Sequence, residues 1–252
     1  MKLIKIRKGL YVPEDFDKVH AYFADSKGTK RYTGTTTALG VIAKPQIIAW
    51  AAKMAVEHMR EYVTPSQVLG GFTEDEWDTL LEGAKSAHTK KKEAAGEYGT
   101  NTHALVEKYI KQCIEENGGS PHDKDLDEFL PIRTFINWAI ESVDSFIFSE
   151  RSMANRKHRL AGTADFACVL RDGRKMMGDF KTSSGIYGME YWLQVAAYRL
   201  MAEAEGDTPY DGSLIVRLGK DGAFEIQERS DYKNDKKALL ACIELYRAQA
   251  NY

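Results

Sequence analysis

GTADFACVLRDGRKMMGDFKTS, residues 162–183, consists of two apolar-rich runs joined by RDGR, a short polar turn with a glycine. The pattern predicts an antiparallel hairpin, GTADFACVL against KMMGDFKTS. Along a strand side chains alternate with period two, so Asp179 and Lys181 share one face while Phe180 points to the other. The tight turn also lets Asp165, on the first strand, approach Asp179 on the second. Two carboxylates gathered in this way suit a hard divalent cation such as Mg²⁺ or Mn²⁺, with Lys181 left to orient a metal-polarised water or to stabilise charge on a scissile phosphate. A D-x-K pattern alone is more often a surface salt bridge, so the neighbouring sequence must decide between the two.

Outward from the hairpin, FIFSERSM reads as a further strand upstream and GMEYWLQVAAYRLMAEAEG as a helix downstream. SLIVRLGKDGAFEIQE follows as a second hairpin turning at Lys220, Asp221 and Gly222, and a polar helix closes the chain from about Asp231. Upstream of the strands, Phe129, Ile132, Phe135, Ile136, Ala139 and Val143 recur at helical spacing. GEYGTNTHALVEKYIKQCIEENGG is a helix closing at Gly118 and Gly119. Thr73 and Glu76 form a capping box for an earlier helix, and a lysine run at 90–92 lies between the two. Thr35, Thr36 and Thr37 offer N-cap oxygens ahead of a helical stretch, interrupted by Pro45, from about Gln46 to Tyr62, and TPSQVLGG reads as the loop that ends it. HAYFADSKGTKRYTG reads as a hairpin turning at residues 25–28, and the loop 118–127 as a flexible joint. Helices first, then a β-rich core with one inserted helix, predict an α/β (α+β) chain.

The 252 residues allow one or two domains. With 43% hydrophobic and 29% charged residues, a fibrous repeat and a disordered chain are both excluded. The basic N-terminus MKLIKIRKGL lacks the apolar stretch of a secretory signal, and no apolar run reaches membrane-spanning length, so a cytoplasmic location is expected. Cys113, Cys168 and Cys242 stand far apart without a CxxC, which argues against a disulfide framework or a zinc ribbon. A net charge of −2 gives no global sign of a polyanionic partner, so charge must be read locally.

Two helical pairs strengthen the hairpin. Gln194 and Tyr198 are spaced i, i+4 and share a face with Tyr191, and His103 and Glu107 are spaced i, i+4 directly after GTNT, read as a capped helix start. In order, GTNTHALVE, AGTADF, GDFKTS and QVAAY resemble the RecB-like branch of the PD-(D/E)XK nuclease superfamily across about residues 97–200. YTGTTTALGVIAKPQIIAWAAKMA is similar to the N-terminal segment of its phage and mitochondrial-maintenance-type exonucleases.

That resemblance implies a single nuclease domain with a restriction-endonuclease-like core: a central mixed sheet flanked by helices, with an N-terminal helical elaboration. Residues 1–96 would be the elaboration, 97–220 the catalytic core, and 221–252 the closing strand and helix. It implies metal binding by Asp165, Asp179, the Phe180 carbonyl and His103, with Lys181 as the catalytic lysine. Gln194 and Tyr198 would contact DNA, with Thr182 and Ser183 as further substrate-binding candidates and Glu107 and Glu150 as second-tier acids. The cofactor would be Mg²⁺ or Mn²⁺, and the four clustered cysteines of the iron–sulfur members are missing, so no cluster is expected.

The implied activity is exonucleolytic hydrolysis of DNA ends or single strands in recombination, repair or replication, with no membrane partner. A structure-specific endonuclease with the same centre and an inactive DNA-binding scaffold are the alternatives. Lys90, Lys91 and Lys92 are candidate phosphate contacts, and Tyr22, Tyr32, Trp50 and Tyr98 candidate stacking platforms.

Overall fold

The computed structural model describes residues 1–16, 19–123, 130–220 and 222–249. Strands β1 (Leu3–Arg7) and β2 (Leu10–Pro13) form an antiparallel pair. Then come β3 (Thr33–Gly34) and five helices: α1 (Thr35–Leu39), α2 (Pro45–Tyr62), α3 (Pro65–Gly70), α4 (Glu74–Asn117) and α5 (Leu130–Ser142). Strands β4 (Val143–Asn155), β5 (Leu160–Leu170) and β6 (Lys175–Lys181) precede α6 (Glu190–Ala204), β7 (Gly212–Leu218), β8 (Phe224–Arg229) and α7 (Tyr232–Gln249). The chain divides into two compact units, residues 1–42 with 101–252, and residues 43–100.

The first unit is mixed α/β, with a mixed central sheet in the order β3-β5-β6-β7-β8 and with β4 paired to β5. β4, β5 and β6 run antiparallel in sequence, and β6 pairs with β7 in parallel. A parallel pair cannot be joined by a tight turn, and α6 supplies the crossover. Every residue of β7, GSLIVRL, is buried, as a strand covered on both faces requires. On one face, Val106 and Ile110 of α4 and Phe135 and Ile136 of α5 pack on Phe166 and Phe180. On the other, Leu193, Ala197 and Met201 of α6 and Leu239 of α7 cover Met177 and Ile215.

Two glycines set close approaches in this sheet. A Cβ at Gly178 would lie 2.1 Å from the Phe166 ring, its cross-strand partner, so only glycine lets that ring lie flat across the ladder and stack on Phe180 at 4.6 Å. A Cβ at Gly162 would lie 2.6 Å from Thr35 Oγ1, which donates to the Ala161 carbonyl and ties α1 to β5.

Several helix boundaries differ from the sequence expectation. Gly34 is the N-cap of α1, without a side-chain bond, and the three threonines lie inside that helix. Pro45 does not interrupt a helix but occupies the first turn of α2, where a missing N–H costs nothing. TPSQVLGG is not a loop: Thr64 and Gln67 form a reciprocal capping box that starts α3. The expected Thr73–Glu76 box does start α4, with Thr73 Oγ1 accepting from the Glu76 N–H at 3.3 Å. GTNT is interior to that 44-residue helix and not a start. Its glycines cost about 1 kcal/mol each, less than the burial of Val106, Tyr109 and Ile110 one to two turns on returns, at about 1.5–3 kcal/mol for a Val or Ile.

The hairpin expected at residues 25–28 is reduced to isolated bridges from Phe23 to Tyr11 and to Arg31. There the Asp25 carboxylate accepts the Lys27, Thr29 and Lys30 N–H groups and folds the turn itself. The helical residues Ile132, Phe135, Ile136 and Ala139 are all buried, whereas Val143 opens β4. Phe129, Asp221 and residues 124–127 of the expected 118–127 joint lie outside the described residues. Among the described residues no helix is long and apolar enough to cross a membrane.

Candidate metal centre

The motif GTAD sits where the edge of β5 changes partner. β3 pairs with residues 160–161 and β6 with 166–169, so residues 162–165 lie between the two ladders on that edge. Where the β5–β6 ladder would continue, the Phe180 N–H donates instead to Asp165 Oδ2 at 2.7 Å. The register of β5 with β6, Phe166 to Gly178, places Asp165 across from Asp179 one step further on. On its other side, the pairs Ser149 to Phe166 and Arg151 to Ala164 put Asp165 opposite Glu150. Three acids on three adjacent strands therefore stand in one row.

Like charges directly opposite on paired strands repel. Glu150 registers this: burial first, then Asp165 and Glu107, push its carboxyl up to about 8, against the pull of Lys111. Its backbone is also unusual, with φ +50° in the middle of a strand, a conformation that costs a non-glycine residue of order 1–3 kcal/mol. His103 of α4 brings its Nδ1 to 3.7 Å from Asp165 Oδ2 and sets its ring edge-on to Phe180 at 5.8 Å. One donor atom from each of His103, Glu150 and Asp165 lies within 4.8 Å of the others. Ligands at about 2.1 Å from an ion stand at most about 4.2 Å apart, so small rotations of two side chains close this triad on one cation.

Asp179 is 1% exposed and lies 2.5 Å from the Lys181 ammonium. Burial raises the Asp179 carboxyl, Lys181 opposes it and Asp165 adds to it. Burial also disfavours the charged lysine, but Asp179 and Asp165 outweigh it and raise its pKa, so Lys181 is an ammonium at neutral pH. Its Nζ also donates to Gln194 Oε1 at 3.1 Å and stands 4.9 Å above the Tyr191 ring. Gln194 Nε2 in turn donates to Tyr198 Oη at 2.6 Å, and burial, with Asp179 and Asp165 nearby, holds that phenol well above its ordinary pKa.

The structure thus brings His103, Asp165, Asp179, Lys181, Gln194 and Tyr198 into one connected network. Glu150 belongs to the donor cluster itself, whereas Glu107 is ion-paired with Lys111 one turn along α4. Phe180 offers its N–H to Asp165 and its ring to the core. Ser183 donates to the Gly185 carbonyl at 2.8 Å, and Thr182 is half-buried just past β6. Arg217, which no motif singled out, donates from Nε to the Ser183 carbonyl at 2.6 Å and is buried. Only its position in β7, directly paired with Lys181, gives it this role.

The expected stacking role fails for Tyr22 and Tyr32, which are buried with their hydroxyls bonded to Thr163 and the Gly9 carbonyl. Trp50, Tyr98 and Lys90–Lys92 belong to the second unit. There Lys91 faces Glu57 at 3.9 Å and Lys90 lines a cavity with His58 and Tyr62. Cys113 and Cys168 are buried thiols, and burial pushes Cys168 up to about 12.

No family model and no curated protein matches the chain. Among solved structures, the crystal structure of SSO0001 is similar at 13% identity over 79% of this chain and 86% of that one, with a TM-score of 0.33. So slight a likeness carries no argument about fold or activity.

Proposed function

We propose that the chain is a metal-dependent deoxyribonuclease of the RecB-like branch of the PD-(D/E)XK superfamily, acting as an exonuclease on DNA ends or single strands. One observation carries this reading: Asp165 stands between Glu150 and Asp179 on neighbouring strands, with His103 and the Lys181 ammonium closing the cluster. The succession of a helix, three antiparallel strands, a crossover helix and a parallel strand supports a restriction-endonuclease-like core. The donor set fits a hard cation, since it is carboxylate-rich with one imidazole, and its opposed acids need a counter-charge. When bound, Mg²⁺ or Mn²⁺ supplies a water acidified toward neutral pH and a Lewis acid for the phosphate.

The chain's own groups do the positioning. Asp165, Glu150 and His103 would hold the cation, and the Phe180 N–H fixes the Asp165 rotamer. Lys181, charged and clamped by Asp179 and Gln194, is placed to donate to a non-bridging phosphate oxygen as negative charge builds on it. Tyr198 holds Gln194, so the Gln194 amide presents a fixed face to the strand. Digestion of end-labelled single- and double-stranded DNA with Mg²⁺, Mn²⁺ or EDTA tests the activity. A circular single strand tests the mode of attack: an exonuclease leaves it intact, and an endonuclease cuts it. Absence of hydrolysis on every DNA form and with either metal leaves a DNA-binding scaffold as the reading.

A further inference from the structure

The turn between β4 and β5 reads Arg156-Lys157-His158-Arg159, four basic residues in succession in a chain of net charge −2. It is held rigid from below. Asn155 is buried, donates to the Leu200 carbonyl at 3.1 Å and accepts the His158 N–H at 3.0 Å. Arg159 takes φ +42°, its carbonyl accepts the Thr33 N–H, and the Arg247 guanidinium holds the His158 carbonyl. A turn with this many fixed backbone groups projects its side chains from fixed Cα positions.

A cavity opens on either side of the turn, and both are lined by Tyr32 and Arg156. The first, of about 590 Å³, adds Arg7, Lys8 and Lys157, and the second, of about 490 Å³, adds Lys30, Arg31 and Arg159. Lys8, Lys30, Arg31, Arg156, Lys157 and Arg159 are exposed, and among the described residues none of them has a carboxylate within salt-bridge distance. The acids that line these cavities are otherwise engaged. Glu205 is paired with Arg7 and Arg151, and Asp25 is spent on the N–H groups of its own turn. His158 reports the local field: burial first, then Lys157, Arg247 and Lys236, lower its pKa, and no acid opposes them.

We propose that this turn and its two flanking cavities form a phosphate-binding surface for a nucleic-acid strand, separate from the carboxylate cluster. The cations do not converge on one point, as a small anion would require, but spread across both cavities, as a chain of phosphates requires. The linings expose no large apolar side chain that could enter a lipid surface, which sets the surface apart from a membrane anchor. From Arg159 to Asp165 is six residues of β5, about 20 Å at about 3.3 Å per residue, or about six duplex steps at 3.4 Å. That the same strand continues to the metal cluster rests on the nuclease reading; the binding itself does not.

The test is fluorescence anisotropy in EDTA, where nothing is hydrolysed, with a labelled DNA strand of about 20 nucleotides and a salt series. The variant Lys8→Ala/Lys30→Ala/Lys157→Ala removes three exposed amines without touching the bonds that hold the turn. Its melting temperature should match the wild type. Its affinity should fall tenfold or more near 100 mM salt, and the slope of log K against log salt should flatten by about two, at about 0.7 per single-strand phosphate contact. Lysine-to-arginine replacement at the same three positions should restore both.

Unchanged affinity and slope in the alanine variant would overturn the proposal. So would wild-type protein that binds phosphatidylserine vesicles and ignores DNA. Lys181→Ala, run in parallel with Mg²⁺, separates the two claims. Wild-type protein that binds through the lysines yet never cuts sinks the nuclease reading and leaves the surface standing. Cutting with unchanged binding in the alanine variant sinks the surface alone.

Discussion

Asp165 accepts the Phe180 N–H, faces Glu150 and Asp179 across two ladders, and lies 3.7 Å from His103. If it holds the proposed cation, Mn²⁺ should raise the melting temperature of the wild type and Asp165→Asn should abolish that rise. That rise corresponds to about 2.7 kcal/mol at a hundredfold excess over Kd. Lys181 is a different test, because the proposed function sets it against the phosphate and not the ion. Lys181→Ala should keep the Mn²⁺-dependent melting shift while cleavage falls by about 10²–10³ or more, as on removal of one donor to a developing charge. Glu150 gives a pH signature in metal-free protein. An acid whose folded pKa of about 8 exceeds its unfolded value is protonated in the folded state where the unfolded chain has already released its proton, so stability falls as pH rises from about 4.5 to about 8. Melting in EDTA across that range should show the decline, and Glu150→Gln should flatten it. The motifs made Asp165, Asp179 and Lys181 legible in the sequence. The weight carried by Glu150 was not, because it comes from a strand register and a φ of +50° that no spacing reveals.

The β5–β6 hairpin could be read from its two apolar-rich runs and its RDGR turn because both signals are local. The boundaries of the helices could not. GTNT resembles a helix start only if burial further along α4 is ignored, and TPSQVLGG resembles a loop only if the reciprocal Thr64–Gln67 bonds are. Gly178 shows the same dependence on context. In sequence it is a weak spot in a strand, and in the sheet it is the seat of the Phe166 ring that stacks on Phe180. Gly178→Ala should cost about 1–3 kcal/mol of stability by overpacking, measurable by urea unfolding. It should also weaken Mn²⁺ binding, because Phe180 supplies the N–H that fixes Asp165. A variant as stable as the wild type, with unchanged metal affinity, would detach the glycine from the site.

At the scale of the molecule, a mixed sheet carries a row of three acids on adjacent strands, a lysine clamped by one of them, and a basic turn at the far end of β5. Composition could not have located that basic turn, because a net charge of −2 averages it away. The residues 43–100 unit contributes its own helices and a cavity lined by His58, Tyr62 and Phe72, and the cluster of acids is complete without it. The proposed hydrolysis of DNA by this cluster with a divalent cation is tested by end-labelled digestion with wild-type and Lys181→Ala protein, with Mn²⁺ and with EDTA. Hydrolysis is expected from the wild type with Mn²⁺, none in EDTA, and a rate lower by about 10²–10³ or more from Lys181→Ala, although that variant should still bind the metal. Hydrolysis by Lys181→Ala at the wild-type rate, or none by the wild type on any DNA form, would contradict the proposal.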